Sequence, residues 1–395
     1  DRLTRIAQER RARVLLVGDT KQHYSVQRGD AMRNVIRNSG TPVVRLSEVL
    51  RQREEKDRHF SRLLAAGNVS DALLYAERRG MVRELGDDET LFARAAEHYA
   101  ENVASGTETL VVIPFWEEID RFSVHARTAL RRRGLLGDAE VVREAVRPLT
   151  WTEEQTAHWD QYRVGDRLLF VRDTRFFKRG SAAVVKKILP DGLHVEGENE
   201  RYAKITRKQR RSFDVGRAQM LPVAAGDRLL MRGREEEQGF ANGDFKDVAA
   251  VDPIANRIFL SDGKELPADF RAWTYGHALT SYRSQGSTAE ESLLVLGEVA
   301  EQALMRRQFY VGNTRYRGAH HIYVSHRDAI ITRLARPDPG RQLATEFVRR
   351  HRIVPAERIA MGRLHRMGAR MRDAWLSIAA RWQETREVVR EKMEI

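Results

Sequence analysis

The sequence predicts an α/β chain, a doubly wound parallel sheet interrupted by small antiparallel β modules and followed by a helical tail. Three observations predict it. Short apolar runs, among them Val14–Val17, Thr109–Ile113 and Leu293–Leu296, alternate with stretches of three- and four-residue apolar spacing, the pattern of buried parallel strands joined by helices. Between residues 148 and 268 the texture changes to short alternating strands with Gly, Asp and Pro turns. Near the end, Met361, Leu364, Met367, Met371, Trp375, Ile378 and Trp382 step by three or four residues into one helical stripe.

Composition narrows the class. The 395 residues suffice for roughly two to four domains. With 42% hydrophobic and 32% charged residues the chain is globular, not disordered. No apolar run approaches the roughly 20 residues a membrane span needs. Cysteine is absent, which excludes disulfides and thiolate metal sites and suits a cytoplasmic location. The net charge of +13 favours a polyanionic partner, nucleic acid first and an anionic membrane surface second. The alternative is an arginine-rich proteome in which such a balance means little. The first residue is Asp, inside a helix-like pattern, which reads as a piece of a longer protein.

In chain order, Val14–Val17 predicts a buried strand that turns out through Gly18-Asp19-Thr20-Lys21-Gln22. A carboxylate and an amide at a strand's carboxyl end sit where α/β sheets bind ligands, although a plain strand-to-loop turn has the same residues. Residues 29–40 predict a helix with Met32, Val35 and Ile36 inward, and Pro42–Leu46 a second strand. Arg51 follows, either a forked phosphate ligand or a solvated helix-start residue. Residues 54–104 read as helical, with stops at Gly67 and Gly80; a helix from about Glu117 to Arg133 ends at Gly134. Val164-Gly165-Asp166-Arg167-Leu168-Leu169-Phe170 recurs as Ala225-Gly226-Asp227-Arg228-Leu229-Leu230-Met231, predicting two barrel-like β modules in tandem. The basic run Arg201–Arg211 between the copies is either a contact to a phosphate backbone or a solvated linker. The α/β texture returns near Ala272, so the modules are inserted. Phe309–Val311 reads as a short apolar strand ending in an arginine, and His321–Val324 as a buried strand. His320-His321 is a poor metal pair, because successive strand side chains face opposite ways. The tail stripe is read as packing; its basic face could instead bind DNA, and the stripe itself could dock a partner.

Singly these signals are weak, but their order is specific. Val17-Gly18-Asp19-Thr20-Lys21-Gln22 resembles motif III of superfamily 1 helicases, and Leu50-Arg51-Gln52 the arginine motif that opens the second motor domain of RecD-like members. Ala278 to Thr288, through Thr280-Ser281-Tyr282-Arg283-Ser284-Gln285-Gly286-Ser287, resembles motif V. Phe309 to Arg317, through Gly312-Asn313-Thr314-Arg315, resembles motif VI. The inserted modules match the SH3-like insert of that branch. The stretch Gly18-Asp19-Thr20-Lys21-Gln22-His23, the stretch Thr150-Trp151-Thr152-Glu153-Glu154-Gln155 and the repeated Gly-Asp-Arg-Leu segments are most similar to the helicase half of MobF-type conjugative relaxases. The resemblance covers roughly residues 10–335.

It implies RecA-like motor domains: the end of the first at 1–46, the second at 47–147 and 269–336, tandem SH3-like barrels at 148–268, and a helical basic tail at 337–395. It implies a 5′-to-3′ ATP-dependent DNA helicase acting in plasmid transfer, with ATP and Mg2+ as cofactors and single-stranded DNA as partner. Arg315 is then an arginine finger, Arg51 a second γ-phosphate ligand and Gln22 the γ-phosphate sensor. Gly18, Asp19, Gly286 and Ser287 would line the nucleotide, and Thr280, Ser281, Tyr282, Arg283 and Ser284 would meet DNA. Tyr282 and Arg283 replace the usual His and Lys, and Thr288 a frequent Glu. No Gly-x-x-x-x-Gly-Lys-[Ser/Thr] occurs, so the phosphate loop and the magnesium carboxylates are expected on a preceding segment, as is any relaxase nuclease. A RecD-like repair helicase and a non-enzymatic DNA-binding module are the alternatives.

Overall fold

The computed structural model describes residues 2–23, 31–38, 42–46, 48–149, 151–197, 201–235, 237–336 and 338. Ser47, Thr150 and the tail stripe from Met361 to Trp382 lie outside them. The chain divides into two units.

The described part of the first unit holds helix α1 (Arg2–Glu9) and helix α2 (Ala31–Asn38). Met32 packs onto Gly18, where a Cβ would come within 2.7 Å of its sulfur. The expected strand at Val14–Val17 is not formed: the segment is irregular, and Leu15 and Val17 are each 86% exposed. Pro42–Leu46 is likewise irregular and exposed. A buried parallel strand needs neighbours on its ladder and helices on its faces, and the described residues of this unit contain no strand to pair with.

The second unit begins its α/β part with α3 (Glu55–Ala66), α4 (Val69–Arg78), β1 (Val82–Glu84), α5 (Asp88–Ser105), β2 (Thr109–Val112) and α6 (Trp116–Arg132). Left-handed Gly67 and Gly134 lie at the ends of α3 and α6, where only glycine is free of a Cβ penalty. The inserted strands follow: β3 (Glu140–Pro148), a short helix α7 (Glu153–Thr156), β4 (Arg167–Phe170), β5 (Ala182–Leu189), β6 (Gly192–Glu196), β7 (Tyr202–Ile205) and β8 (Phe213–Ala224). Then come β9 (Arg228–Met231), β10 (Phe245–Asp252), β11 (Arg257–Leu260) and β12 (Trp273–Tyr275). The α/β part resumes with β13 (Ala289–Leu296), α8 (Glu298–Ala303), α9 (Arg306–Gly312), β14 (Tyr316–Val324) and α10 (Arg327–Ala335).

Its sheet has the order β1-β14-β13-β2, every pair parallel. Strand alternation divides β13 between two cores. Leu293 and Val295 pack with Phe92, Phe122 and Val111 under α5 and α6. Leu294 and Leu296 pack with Phe60, Leu73 and Phe309 on the other face. That is the doubly wound arrangement the apolar runs predict. Two expectations fail here. Val82–Glu84 is an edge strand inside a stretch read as helical; a single apolar residue in three gives no periodic signal. Phe309–Val311 is helix, not strand: Gln308 accepts the Met305 N–H at 2.9 Å, starting a turn that buries Phe309 and Val311.

The insert forms two antiparallel sheets, β3-β8-β4-β5-β6-β7 and β11-β10-β9-β12. The sequence repeat returns as a repeat of hydrogen bonds. Gly165 and Gly226, both at positive φ, donate to Val185 O and Val248 O at 2.8 Å. Asp166 and Asp227 accept from Arg163 N and Ala224 N, also at 2.8 Å. Gly180 and Gly243 donate to Phe170 O and Met231 O at 2.7 Å. The basic run is not all loop: Lys204 lies in β7 and pairs with Asp191. No helix among the described residues is long and apolar enough to cross a membrane.

Candidate functional site

Two arginines far apart in sequence meet after α9. Gln52, buried, donates to Tyr316 O at 3.1 Å, and Arg53 N to Arg317 O at 3.1 Å. These bonds lay Leu50–Arg53 along the start of β14 and bring Arg51 Nη1 onto Thr314 O. Burial lowers the Arg51 pKa from its ordinary value. Arg315 is 1% exposed; its Nε donates to Val311 O at 3.0 Å and its Nη2 to Thr314 Oγ1 at 2.9 Å. Both guanidinium groups therefore converge on Thr314, in a partly dehydrated corner where charge acts strongly.

The glycine-bearing loop is tied to this corner. Ala289 N donates to Arg315 O at 3.0 Å, fixing the loop's exit. Inside it Ser284 N bonds Thr280 O at 2.9 Å and Ser287 N bonds Ser284 O at 3.0 Å, and Gly286 takes φ 93°, which favours glycine. Gln285 Nε2 donates to Gln22 Oε1 at 3.0 Å, and Arg307 Nη1 donates to the Gln22 carbonyl. His23 stacks on Tyr282 with ring centres 3.7 Å apart and planes 19° apart. Burial, aided by the charges of Arg307 and Arg315, lowers the His23 pKa to about 4, so its ring is neutral at neutral pH.

Of the residues expected at DNA, Thr280, Ser281 and Ser284 are buried. Thr280 Oγ1 accepts the Arg283 N–H at 3.2 Å and Ser284 Oγ donates to Ser281 O at 3.0 Å. Tyr282 and Arg283 are exposed. Arg283 lies over Gly243 of the insert, where a Cβ would fall 1.2 Å from its Nη2; any side chain there would displace the guanidinium. Near it Arg232 sits 4.5 Å from the Trp116 ring centre. Burial lowers Arg232 to about 10, the Arg283 and Arg147 charges pushing the same way and Asp214 opposing. Arg283 and Arg147 thus act on Arg232 at the ring, while Arg147 itself pairs with Asp120.

The structure brings together Gln22, Arg51, Arg315, Gly286, Ser287 and the 280–284 segment. Gly18 and Asp19 belong to the other unit, on the exposed segment after Val17. His23 closes the Gly18–His23 stretch without a role of its own there, and Arg307, Trp116 and Arg232 lie outside the motifs. Only the stretch Phe115-Trp116 directly after an apolar strand marks one of them.

Residues 1–87 match a family model described as an AAA domain. The chain is 28% identical over 203 residues to the conjugal transfer protein TraA of Agrobacterium fabrum, a match covering 50% of this chain and 17% of that protein. It is 33% identical over 138 residues to the TraA of Rhizobium radiobacter, covering 34% of this chain and 12% of that protein. Among solved structures, a Pif1 helicase from Bacteroides in complex with ADP-AlF3 and ssDNA overlaps 78% of this chain and 56% of its own, at 14% identity and a TM-score of 0.27. A Pif1 helicase from Candida albicans overlaps 72% and 58%, at 14% identity and a TM-score of 0.26. The chain therefore spans under a fifth of either conjugal transfer protein. Over the parts they cover, these matches make the chain similar to an AAA domain and to conjugal transfer proteins.

Proposed function

We propose that these residues work as the carboxyl-terminal motor part of an ATP-dependent, 5′-to-3′ DNA helicase, the helicase portion of a cytoplasmic conjugative relaxase acting in plasmid transfer. One observation carries the reading. The two candidate γ-phosphate arginines share Thr314, and the candidate DNA loop is hydrogen-bonded to the same backbone through Ala289 and Arg315. A change at the phosphate is thereby a change at the loop.

In this reading Arg315 stabilises charge that develops on the transferred phosphoryl group, and Arg51 adds a second donor. Both fit a polyanion: they are convergent, partly dehydrated cations. Arg315 must first release Thr314 Oγ1, which makes the observed arrangement a resting one. Gln22 reports the nucleotide state to Gln285. Gly286 and Ser287 border the nucleotide, while Mg2+ and the phosphates would take their main ligands from a phosphate-loop segment outside these residues. Tyr282 and Arg283 offer DNA a stacking face and a cation, and Thr280, Ser281 and Ser284 hold that loop in shape. The two insert sheets act as SH3-like modules, with Arg147, Arg232 and Trp116 beside the strand's path.

The test is Arg315→Ala in the longer protein. ATP binding should stay within about threefold while turnover falls by about 10³ or more; unchanged turnover removes the finger role. The absence of a phosphate loop from the sequence favours a second reading, a non-enzymatic module that binds single-stranded DNA. It predicts salt-sensitive binding indifferent to any added nucleotide-binding domain.

A further inference from the structure

Strand alternation separates the adjacent histidines of β14. His320 turns inward to Ser292 and Asn313. His321 turns the other way, towards α5, and meets two residues the sequence gives no reason to join to it. One ligand atom each from His98, Glu291 and His321 lies within 4.8 Å of the other two. His98 Nε2 is 2.8 Å from Glu291 Oε1 and His321 Nε2 is 3.5 Å from the same oxygen. The three side chains are 17%, 13% and 24% exposed.

We propose that His98, Glu291 and His321 bind one divalent transition-metal ion of the zinc or cobalt class, with a solvent molecule in the fourth position. Two histidines and one carboxylate are a donor set that such ions accept, at bonds of about 2.0–2.2 Å. Tetrahedral bonds of that length set ligand atoms roughly 3.4 Å apart. The His321–Glu291 separation already fits, and the His98 contact opens by a fraction of an ångström. The outer shell is in place: Tyr323 Oη lies 2.8 Å from His98 Nδ1 and accepts from Arg83 at 3.1 Å. His98 Nδ1 is thus engaged, and Nε2 is left as the ligand atom. A metal-free network of hydrogen bonds leaves this trio incomplete: Glu291 Oε1 and His321 Nδ1 are buried without a hydrogen-bond partner, and His321 Nε2 lies 3.5 Å from Glu291 Oε1. The ion clamps α5 to β13 and β14 just beyond the loops that end at Thr288 and Arg315. It is a structural role, independent of the helicase reading.

The test uses the full chain, stripped with a chelator and titrated with Co2+. One equivalent should give the visible absorption of a four-coordinate nitrogen–oxygen site, be displaced by Zn2+, and raise the melting temperature. Glu291→Gln and His321→Asn should each weaken binding by at least about tenfold while leaving the metal-free melting temperature and circular dichroism as in the parent chain. His98→Gln, on a different element, serves if either variant disturbs the fold. Absence of the spectrum overturns the site, and so does an affinity unchanged by all three substitutions, which would mark an adventitious ion only.

Discussion

Arg315 was legible as an arginine at the end of a motif, but its partners were not. Its hydrogen bonds go to Val311 and Thr314 of its own turn, a consequence of helix α9 where a strand had been expected. Asp227 shows the same limit more sharply. The repeat predicts that Asp166 and Asp227 do one job, and both do cap their turns. Asp227 alone is also enclosed by Arg127, at 2.9 Å, and His277, at 3.3 Å, joining the insert to α6. Burial pushes its carboxyl up, but the hydrogen bonds from His277 and Arg127 outweigh this and hold it below the usual carboxylate range. Asp227→Asn should therefore cost about 3 kcal/mol of stability at neutral pH, Glu140 retaining part of Arg127's pairing. A depressed folded pKa gives stabilisation that is complete above the unfolded value of about 3.9 and lost as pH falls through the folded one. Denaturant melts of parent and variant should thus converge below about pH 4.

At the scale of elements, what was legible was whatever its own residues determine. Strands β13 and β14, the glycine stops and the repeat all follow from local periodicity and turn chemistry. Val14–Val17 failed because a strand's burial is supplied by neighbours, and β1 because three residues carry no period. Helix α8 shows how much arises from packing. Its first turn is held by two carboxylates from other helices: Asp88 accepts Glu298 N at 2.9 Å, and Glu118 accepts Val299 N at 3.0 Å and Ala300 N at 3.1 Å. Burial, reinforced by Asp88, pushes Glu118 up to about 7 despite those hydrogen bonds. A raised carboxyl pKa contributes stability below the unfolded value that is lost as pH rises through the folded one. Glu118→Gln keeps an acceptor without the charge. Its melting temperature should exceed the parent's at pH 8 and match it near pH 5; a gap independent of pH would remove the buried-charge explanation.

Across the whole molecule, the net charge of +13 points to a polyanion, and the structure sets Arg232 over Trp116 and Arg283 in the loop carrying Tyr282. Charge neutralisation by a few phosphate contacts makes affinity fall with salt. Arg232→Ala and Arg283→Ala should each weaken single-strand binding similarly across sequences and reduce the salt slope by about 1. Tyr282→Ala should lower affinity with the slope unchanged, since stacking releases no counterions. Equal slopes in all three variants would place the strand elsewhere.

In the proposed mechanism the arginine corner and the 280–288 loop move as one unit. The most direct measurement is single-strand affinity of the proposed longer protein with and without a non-hydrolysable ATP analogue, for the parent and for Arg315→Ala at saturating analogue. A nucleotide-dependent shift of about 5-fold or more is expected in the parent, abolished by the substitution. An undiminished shift in Arg315→Ala would contradict it.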